Sequence, residues 1–322
     1  MAKLVDALAL GASGAILESS SLSARTFIIF ANILEIMFNP LHNFDPSPII
    51  FSFGFVNIYW YGFFIVIAFI IAFLVILFLA KKYGIKKDDI IDLCFYLFIF
   101  GIIGARIYDI FLEWRYYLEN PSDIFKIWEG GLAIHGAILA GIIVIIVFIK
   151  KKKNFFIDKA DSIIKKIFKI TAIIVPGLAI GQAIGRWGNY FNQELFGRPT
   201  DSWWGIFINP ASRPLEYFSS SFFHPTFFYE SLGCLLIFAI LISVHLIVIK
   251  KNKSNFKFNF LIVALYFVLY SILRFILEFI RIDFAPVFLG LRWPQIMSLL
   301  LILIIIVFSI KLYLKENYKK IK

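Results

Sequence analysis

Cysteine and histidine are scarce in this chain, at two and four of 322 residues. Cys94 and Cys234 both fall inside apolar runs, so no disulfide framework and no paired-cysteine zinc spacing exists; buried packing is expected for each. His42, His135, His224 and His245 stand at no spacing that would put two of them on one helix face around a metal. His42 and His245 read as an ordinary loop residue and an ordinary helix residue. No phosphate-cradling glycine loop ending in Lys-Ser or Lys-Thr follows a strand, so no nucleotide is implied, and neither metal nor cofactor is expected. A soluble domain is missing too, since the longest interval between apolar runs is about 186–225. No internal repeat is visible.

Apolar residues are abundant instead. They make up 61% of the chain, with 39 Phe and 19% aromatics, where soluble domains use about half apolar residues. Seven runs reach the length of a spanning helix, at 54–80, 90–112, 131–149, 167–185, 226–249, 258–281 and 294–314. The expected fold is an all-α polytopic membrane protein of seven transmembrane helices with a small outer-face cap. The net charge of +11 sits in short loops between the runs, which fits a membrane protein and not a nucleic-acid binder.

Lysines follow the first span (Lys81, Lys82, Lys86, Lys87), the third (Lys150 to Lys153), the fifth (Lys250, Lys251, Lys253, Lys257) and the seventh, while the intervening loops mix both signs. The positive-inside rule then places the N-terminus outside and the C-terminus in the cytoplasm. Trp203, Trp204 and Trp293 suit an interfacial belt. Residues 1–36 differ in composition and lack a signal-peptide layout. They are expected to be an over-extended gene start with Met37 as the initiator, or else a disordered extension; the membrane domain would be 37–322.

With that orientation, the polar residues of six spans fall at one level, near the outer face: Tyr61, Arg106, His135, Arg186, then His224 with Glu230, then Arg274. Charge in hydrocarbon costs roughly 2.5–3.5 kcal/mol even on lenient scales, so such a level marks a site. Arg274, Glu278 and Arg281 are spaced i, i+4, i+7 and are expected to share a helix face. Gly177, Gly181 and Gly185 form a small-residue stripe for close helix packing that would hold the Arg186 end in place. Guanidinium suits phosphate as a two-pronged donor.

These residues lie in motifs that resemble one family. Gly185-Arg186-Trp187-Gly188-Asn189-Tyr190-Phe191-Asn192 with Glu194 and Gly197, Gly130-Gly131-Leu132-Ala133-Ile134-His135-Gly136, Tyr59-Trp60-Tyr61-Gly62, His224-Pro225-Thr226 with Tyr229-Glu230, and Arg274 with Glu278-Phe279 and Arg281 are similar in order and spacing to the prolipoprotein diacylglyceryl transferases. The match covers about 45–315. Tyr190 replaces the usual phenylalanine, and Ala172 stands where the family often has an acidic residue.

The resemblance implies an enzyme of the bacterial plasma membrane, active toward its outer face. The enzyme moves the diacylglyceryl group of phosphatidylglycerol to the lipobox cysteine thiol of preprolipoprotein signal peptides. A thioether forms and glycerol phosphate leaves. Catalytic roles fall to His135, Arg186 and Arg274. Substrate binding falls to Tyr61, Arg106, Asn189, Asn192, Glu194, Gly197, His224, Glu278 and Arg281. An imidazole titrates close enough to neutrality to accept a thiol proton. Two assignments stand for His135: the base itself, or a residue that positions substrate while an arginine or glutamate assists. A transporter of an anionic or lipid substrate would instead show repeats and a midplane polar site, and a plain scaffold would leave the His and Arg positions unexplained.

Overall fold

The computed structural model describes residues 41–54, 56–127, 130–152, 162–251 and 255–321, with no side-chain description for 313 and 315–321. The extension at 1–36 and Met37 lie outside the described residues.

Among the described residues, seven helices are long and apolar enough to cross a membrane. They are α1 (Trp60–Lys82), α2 (Lys87–Leu112), α4 (Ile134–Lys151), α5 (Ile163–Phe191), α6 (Thr226–Lys250), α7 (Phe256–Leu277) and α8 (Trp293–Ile321). A short helix, α3 (Trp114–Glu119), follows α2. Among the described residues there are also three two-stranded antiparallel ribbons: β1 (Ile49–Phe53) with β2 (Val56–Tyr59), β3 (Ile206–Phe207) with β4 (Phe222–Phe223), and β5 (Val287–Phe288) with β6 (Leu291–Arg292).

Helix α5 is the hub: half of its apolar window is buried, against 28% at most for any other span. It packs on α1, α6 and α7, while α2 pairs with α4 and α8 leans on α7. At the lysine-loop end, Leu79, Ile90, Leu93, Ile170 and Ile173 form one core; farther along, Val175, Ala179, Leu241 and Ile262 form another. Both cysteines are free and buried. Outward-facing Ile103, Ile143, Leu236 and Ile304 remain exposed. Lipid solvates such side chains, and each helix satisfies its own backbone.

Four boundaries differ from the hydropathy reading. Residues 54 and 56–59 are not helical: Gly54 turns the chain at φ 59°, and Val56–Tyr59 pairs back on Ile49–Phe53. Apolarity alone does not separate a strand from a helix there. The third span starts at Ile134, because Gly130 and Gly131 take φ 106° and 69°, outside helical space. The fourth span runs to Phe191, so Arg186 and Asn189 lie on a helix and the cap begins later, carrying β3, β4 and short 3-10 turns at Pro210–Ser212 and Leu215–Tyr217. The sixth helix ends at Leu277 with Glu278 as its C-cap, so Arg281 is not on that helix face; it pairs with Gly197 in an antiparallel bridge.

The glycine stripe packs on α1, tightest at Gly177, where an added Cβ would sit 2.9 Å from the Ala72 carbonyl oxygen. The contact loosens to 3.6 Å at Gly181 and 4.0 Å at Gly185, then closes again at Gly188 against Tyr61.

Two histidines have more definite roles than the sequence suggested. His245 is fully buried, with Nδ1 2.8 Å from the Tyr83 hydroxyl and Nε2 2.9 Å from the Ala172 carbonyl oxygen, tying three elements together. His42 stacks on Phe222 and reaches the Gly205 carbonyl oxygen at 2.6 Å, fastening the cap.

Candidate active site

The site forms where the C-terminal ends of α5 and α7 meet the N-terminal end of α6, opposite the lysine-rich loops. At its centre is Glu230, in the first turns of α6 and 1% exposed. Arg186 Nη2 lies 2.8 Å from Glu230 Oε1, while Arg281 Nη1 and Arg274 Nη1 lie 3.6 and 4.0 Å from Oε2. The Tyr270 hydroxyl donates to Oε1 at 3.0 Å. One buried carboxylate therefore gathers three guanidiniums from α5, α7 and the segment after α7. Such a carboxylate is tolerable only when paired and hydrogen-bonded.

A second buried carboxylate offsets the same cations. Glu278 Oε2 forms an ion pair with Arg274 Nη2 at 2.9 Å, the expected i, i+4 pair, and Oε1 lies 3.3 Å from Arg292 Nε. Arg292 also donates to the backbone carbonyls of Glu278 (3.3 Å), Arg281 (2.5 Å) and Asp283, closing the loop after α7. Arg281 Nε is held by Asp283 at 2.7 Å.

On α5, Arg186 Nη1 donates to Asn189 Oδ1 at 3.3 Å, and Asn189 Nδ2 donates to Glu194 Oε1 at 2.7 Å. Asn192 Nδ2 approaches the same oxygen at 3.5 Å. The chain returns Glu194 toward the helix through two left-handed residues, Gln193 (φ 51°) and Leu195 (φ 56°). Both are rare for non-glycine residues. Gln193 is fixed by Asn209 N–H and Asp45, and the Leu195 carbonyl by the Thr226 hydroxyl. Tyr61, at the start of α1, packs beside Gly188 within electrostatic reach of Arg186 and Glu194.

Among the described residues of this cluster, Arg186 Nε and Arg274 Nη1 donate no hydrogen bond, and both Glu278 carboxylate oxygens are held by ion pairs without a hydrogen bond. Unpaired buried donors are costly. On two cations around one centre, they suit an incoming anion with several oxygens.

Of the other residues singled out in the sequence, Arg106, His135 and His224 make their contacts apart from this cluster, while Gly197 meets it through its bridge with Arg281. Arg106, 7% exposed, spends its guanidinium on loop carbonyls: Nε donates to Ile124 (3.0 Å), Nη1 to Gly130 (2.7 Å) and Gly131 (2.8 Å), and Nη2 to Asp123. Its ring partner is Tyr117 at 5.1 Å. This is a clamp on the segment leading to α4, and it explains Gly131, where a Cβ would fall 2.2 Å from Arg106 Nη1. Beside the clamp, Lys126 and Tyr116 hold the Asp123 carboxyl below its usual range.

His135 is exposed at the start of α4, its ring 5.9 Å from that of Tyr108, and it hydrogen-bonds to no described residue. His224 Nδ1 lies 3.2 Å from the Tyr229 hydroxyl, and burial pushes its imidazole down. Gly197 is a seam: its N–H donates to His224 O at 2.9 Å, and a Cβ would fall within 2.9 Å of His224, Thr226 and Ile280.

The sequence placed Glu230 at the polar level without marking it as the hub, and Arg292 gave no signal at all. Glu230 follows His224-Pro225-Thr226 in an apolar helix, and an acidic residue so placed was the available clue. Arg292 stands in β6, just before the last span and outside every motif the sequence offered.

The sequence profile described as prolipoprotein diacylglyceryl transferase matches residues 48–311. A phosphatidylglycerol–prolipoprotein diacylglyceryl transferase from Acaryochloris marina (strain MBIC 11017) is 44% identical over 200 residues, covering 62% of this chain and 69% of its own. One from Prochlorococcus marinus (strain MIT 9301) is 42% identical over 229 residues, 66% of this chain and 71% of its own. One from Nostoc sp. (strain PCC 7120 / SAG 25.82 / UTEX 2576) is 40% identical over 200 residues, 62% and 67%.

Proposed function

The chain belongs to the prolipoprotein diacylglyceryl transferase family, and from that premise we propose that the arginine cluster around Glu230 is the centre that grips the phosphate of phosphatidylglycerol. The enzyme transfers the diacylglyceryl group from phosphatidylglycerol to prolipoprotein, the first step of lipoprotein maturation. The observation that carries the site assignment is the pair of buried nitrogens, Arg186 Nε and Arg274 Nη1, that donate no hydrogen bond.

In this mechanism the phosphodiester docks between Arg186 and Arg274, with Asn189 and Glu194 fixing the Arg186 fork and Glu278 fixing Arg274. Tyr61, Asn192 and Arg281 border the headgroup. Arg106, Gly197 and His224 act on substrate through the segments they position. The lipobox thiol sulfur of the signal peptide attacks the glycerol carbon that bears the phosphate. A C–S bond forms and the C–O bond to phosphate breaks, leaving a thioether and glycerol phosphate. His135, whose ring hydrogen-bonds to no described residue, takes the thiol proton and passes it to water, and glycerol phosphate leaves as the dianion, so the exchange balances without cofactor or metal. Charge gathered on the departing phosphate is what preorganised cations stabilise, and one such donor is typically worth about 10²–10³-fold in rate.

The cluster lies at the helix ends opposite Lys81, Lys82, Lys150, Lys151, Lys250 and Lys251. By the positive-inside rule this supports an outer-face site in the bacterial plasma membrane, with the N-terminus outside and the C-terminus cytoplasmic. The test is the purified full chain with phosphatidylglycerol and a lipobox peptide. Glycerol phosphate should be released in step with thioether formation. A well-folded protein that forms thioether with no glycerol phosphate release, or forms none, refutes the mechanism.

A further inference from the structure

An open cleft of about 290 Å³ adjoins the cluster. Its polar lining is Arg198, Glu216, Tyr217, Arg281, Asp283 and Arg292. Two of these residues are shared with the buried site. Arg281 reaches Glu230 with Nη1 and Asp283 with Nε. Arg292 Nε reaches Glu278. One guanidinium layer therefore separates the buried carboxylates from the cleft.

Arg198 differs from these two. It closes the signature segment, is exposed, and makes no side-chain ion pair or hydrogen bond with a described residue. Its backbone is nevertheless pinned, with N–H donating to Ile280 O at 2.9 Å and O accepting from His224 N–H at 3.0 Å. A fixed backbone thus presents a free guanidinium to the cleft. Arg281 and Arg292 are already paired with Glu230, Glu278 and Asp283, so Arg198 is the cation there left to draw a small anion, and Glu216, Asp283 and the Tyr217 hydroxyl offer acceptors for hydroxyl groups.

We propose that this cleft is a binding site for a phosphate monoester of a small polyol, and that it receives the glycerol phosphate leaving group on its way to water. The inference rests on the reaction read above. The two products of that reaction part by solubility: the diacylglyceryl thioether stays in lipid, and the dianionic polyol phosphate cannot. After C–O cleavage the phosphate gains a negative charge, so it needs a further cation. Arg281 stands between the site of cleavage and the cleft, and Arg198 adds a cation not already spent on a carboxylate. The carboxylates bind the glycerol hydroxyls and keep the phosphate from being held too tightly to leave.

Binding is measured directly, by calorimetry on the purified full chain without lipid or peptide, with glycerol phosphate and inorganic phosphate as separate probes. Glycerol phosphate should bind the wild type, more tightly than inorganic phosphate. Arg198→Gln should weaken it by about tenfold or more, the loss of one charge-assisted contact, and Arg198→Lys should recover part of the loss. Glu216→Gln should act with the opposite sign and tighten binding by about two- to fivefold. Absence of binding to the wild type, equal affinity in Arg198→Gln, or equal affinity for inorganic phosphate would overturn the proposal. Transfer to the lipobox peptide is scored separately on the same samples. Intact transfer with Arg198-independent binding removes the cleft alone, whereas absent transfer removes the reaction on which it rests.

Discussion

Arg186→Lys separates a phosphate grip from a helix end that merely anchors at the headgroups. In the wild type, Nη2 is committed to Glu230 at 2.8 Å, Nη1 to Asn189 at 3.3 Å, and Nε is buried with no acceptor. Lysine keeps the charge and a similar reach, so it preserves the pair with Glu230 and can snorkel as an anchor would. It offers a single nitrogen, so it cannot hold Glu230, fix Asn189 and donate to an incoming phosphate together. The loss is at least one charge-assisted hydrogen bond, about 1.5–3 kcal/mol, which at about 1.36 kcal/mol per decade is roughly ten- to a hundredfold in rate. The assay is diacylglyceryl transfer to a lipobox peptide, with kcat and KM for phosphatidylglycerol and the thermal midpoint measured on the same preparation. The midpoint should be retained and kcat/KM should fall at least tenfold. Activity within twofold of wild type at limiting and saturating lipid would refute the grip.

Three further expectations follow from the same geometry. Glu230→Gln should cost more than Arg186→Lys in stability, about 3–5 kcal/mol, because three guanidiniums lose their shared counter-charge; an unchanged melting temperature would show that the hub is not needed. His135→Gln should fold normally and lose most activity, since the exposed ring hydrogen-bonds to no described residue and lies 5.9 Å from that of Tyr108; near-normal turnover across pH 6–8 would remove it as the base. Arg106→Gln should lower the thermal midpoint and expose the 113–133 segment to limited proteolysis, because four carbonyl contacts go, each buried orphan costing about 1–3 kcal/mol; wild-type cleavage would leave Arg106 as a substrate residue and not a clamp.

Hydropathy run length was enough to find seven spans, because in lipid a helix must satisfy its own backbone and so declares itself in one dimension. It erred where polarity and conformation part: at 56–59, where apolar residues pair as a strand, and at 186–191, where polar residues continue a helix. Lysine spacing located one end of the bundle, and the level of the unusual polar residues pointed to the other. Arg274 with Glu278 was legible because both stand within one helical turn.

The hub was not legible in the same way. Glu230 meets Arg186, Arg274 and Arg281 only because α5, α6 and α7 are neighbours with their ends in register, and Arg292 reaches Glu278 only because the loop after α7 folds back. Conversely, Arg106 and His135 share the polar level with Arg186 yet make no contact with its cluster. Their helices pair through Gly104 and Gly136, where a Cβ on either would fall within 2.6 Å of the other's carbonyl oxygen. Depth along a span is a property of the sequence. Which side chains face one another at that depth depends on the order and rotation of packed helices, and that is set by side-chain interlock between segments far apart in the chain.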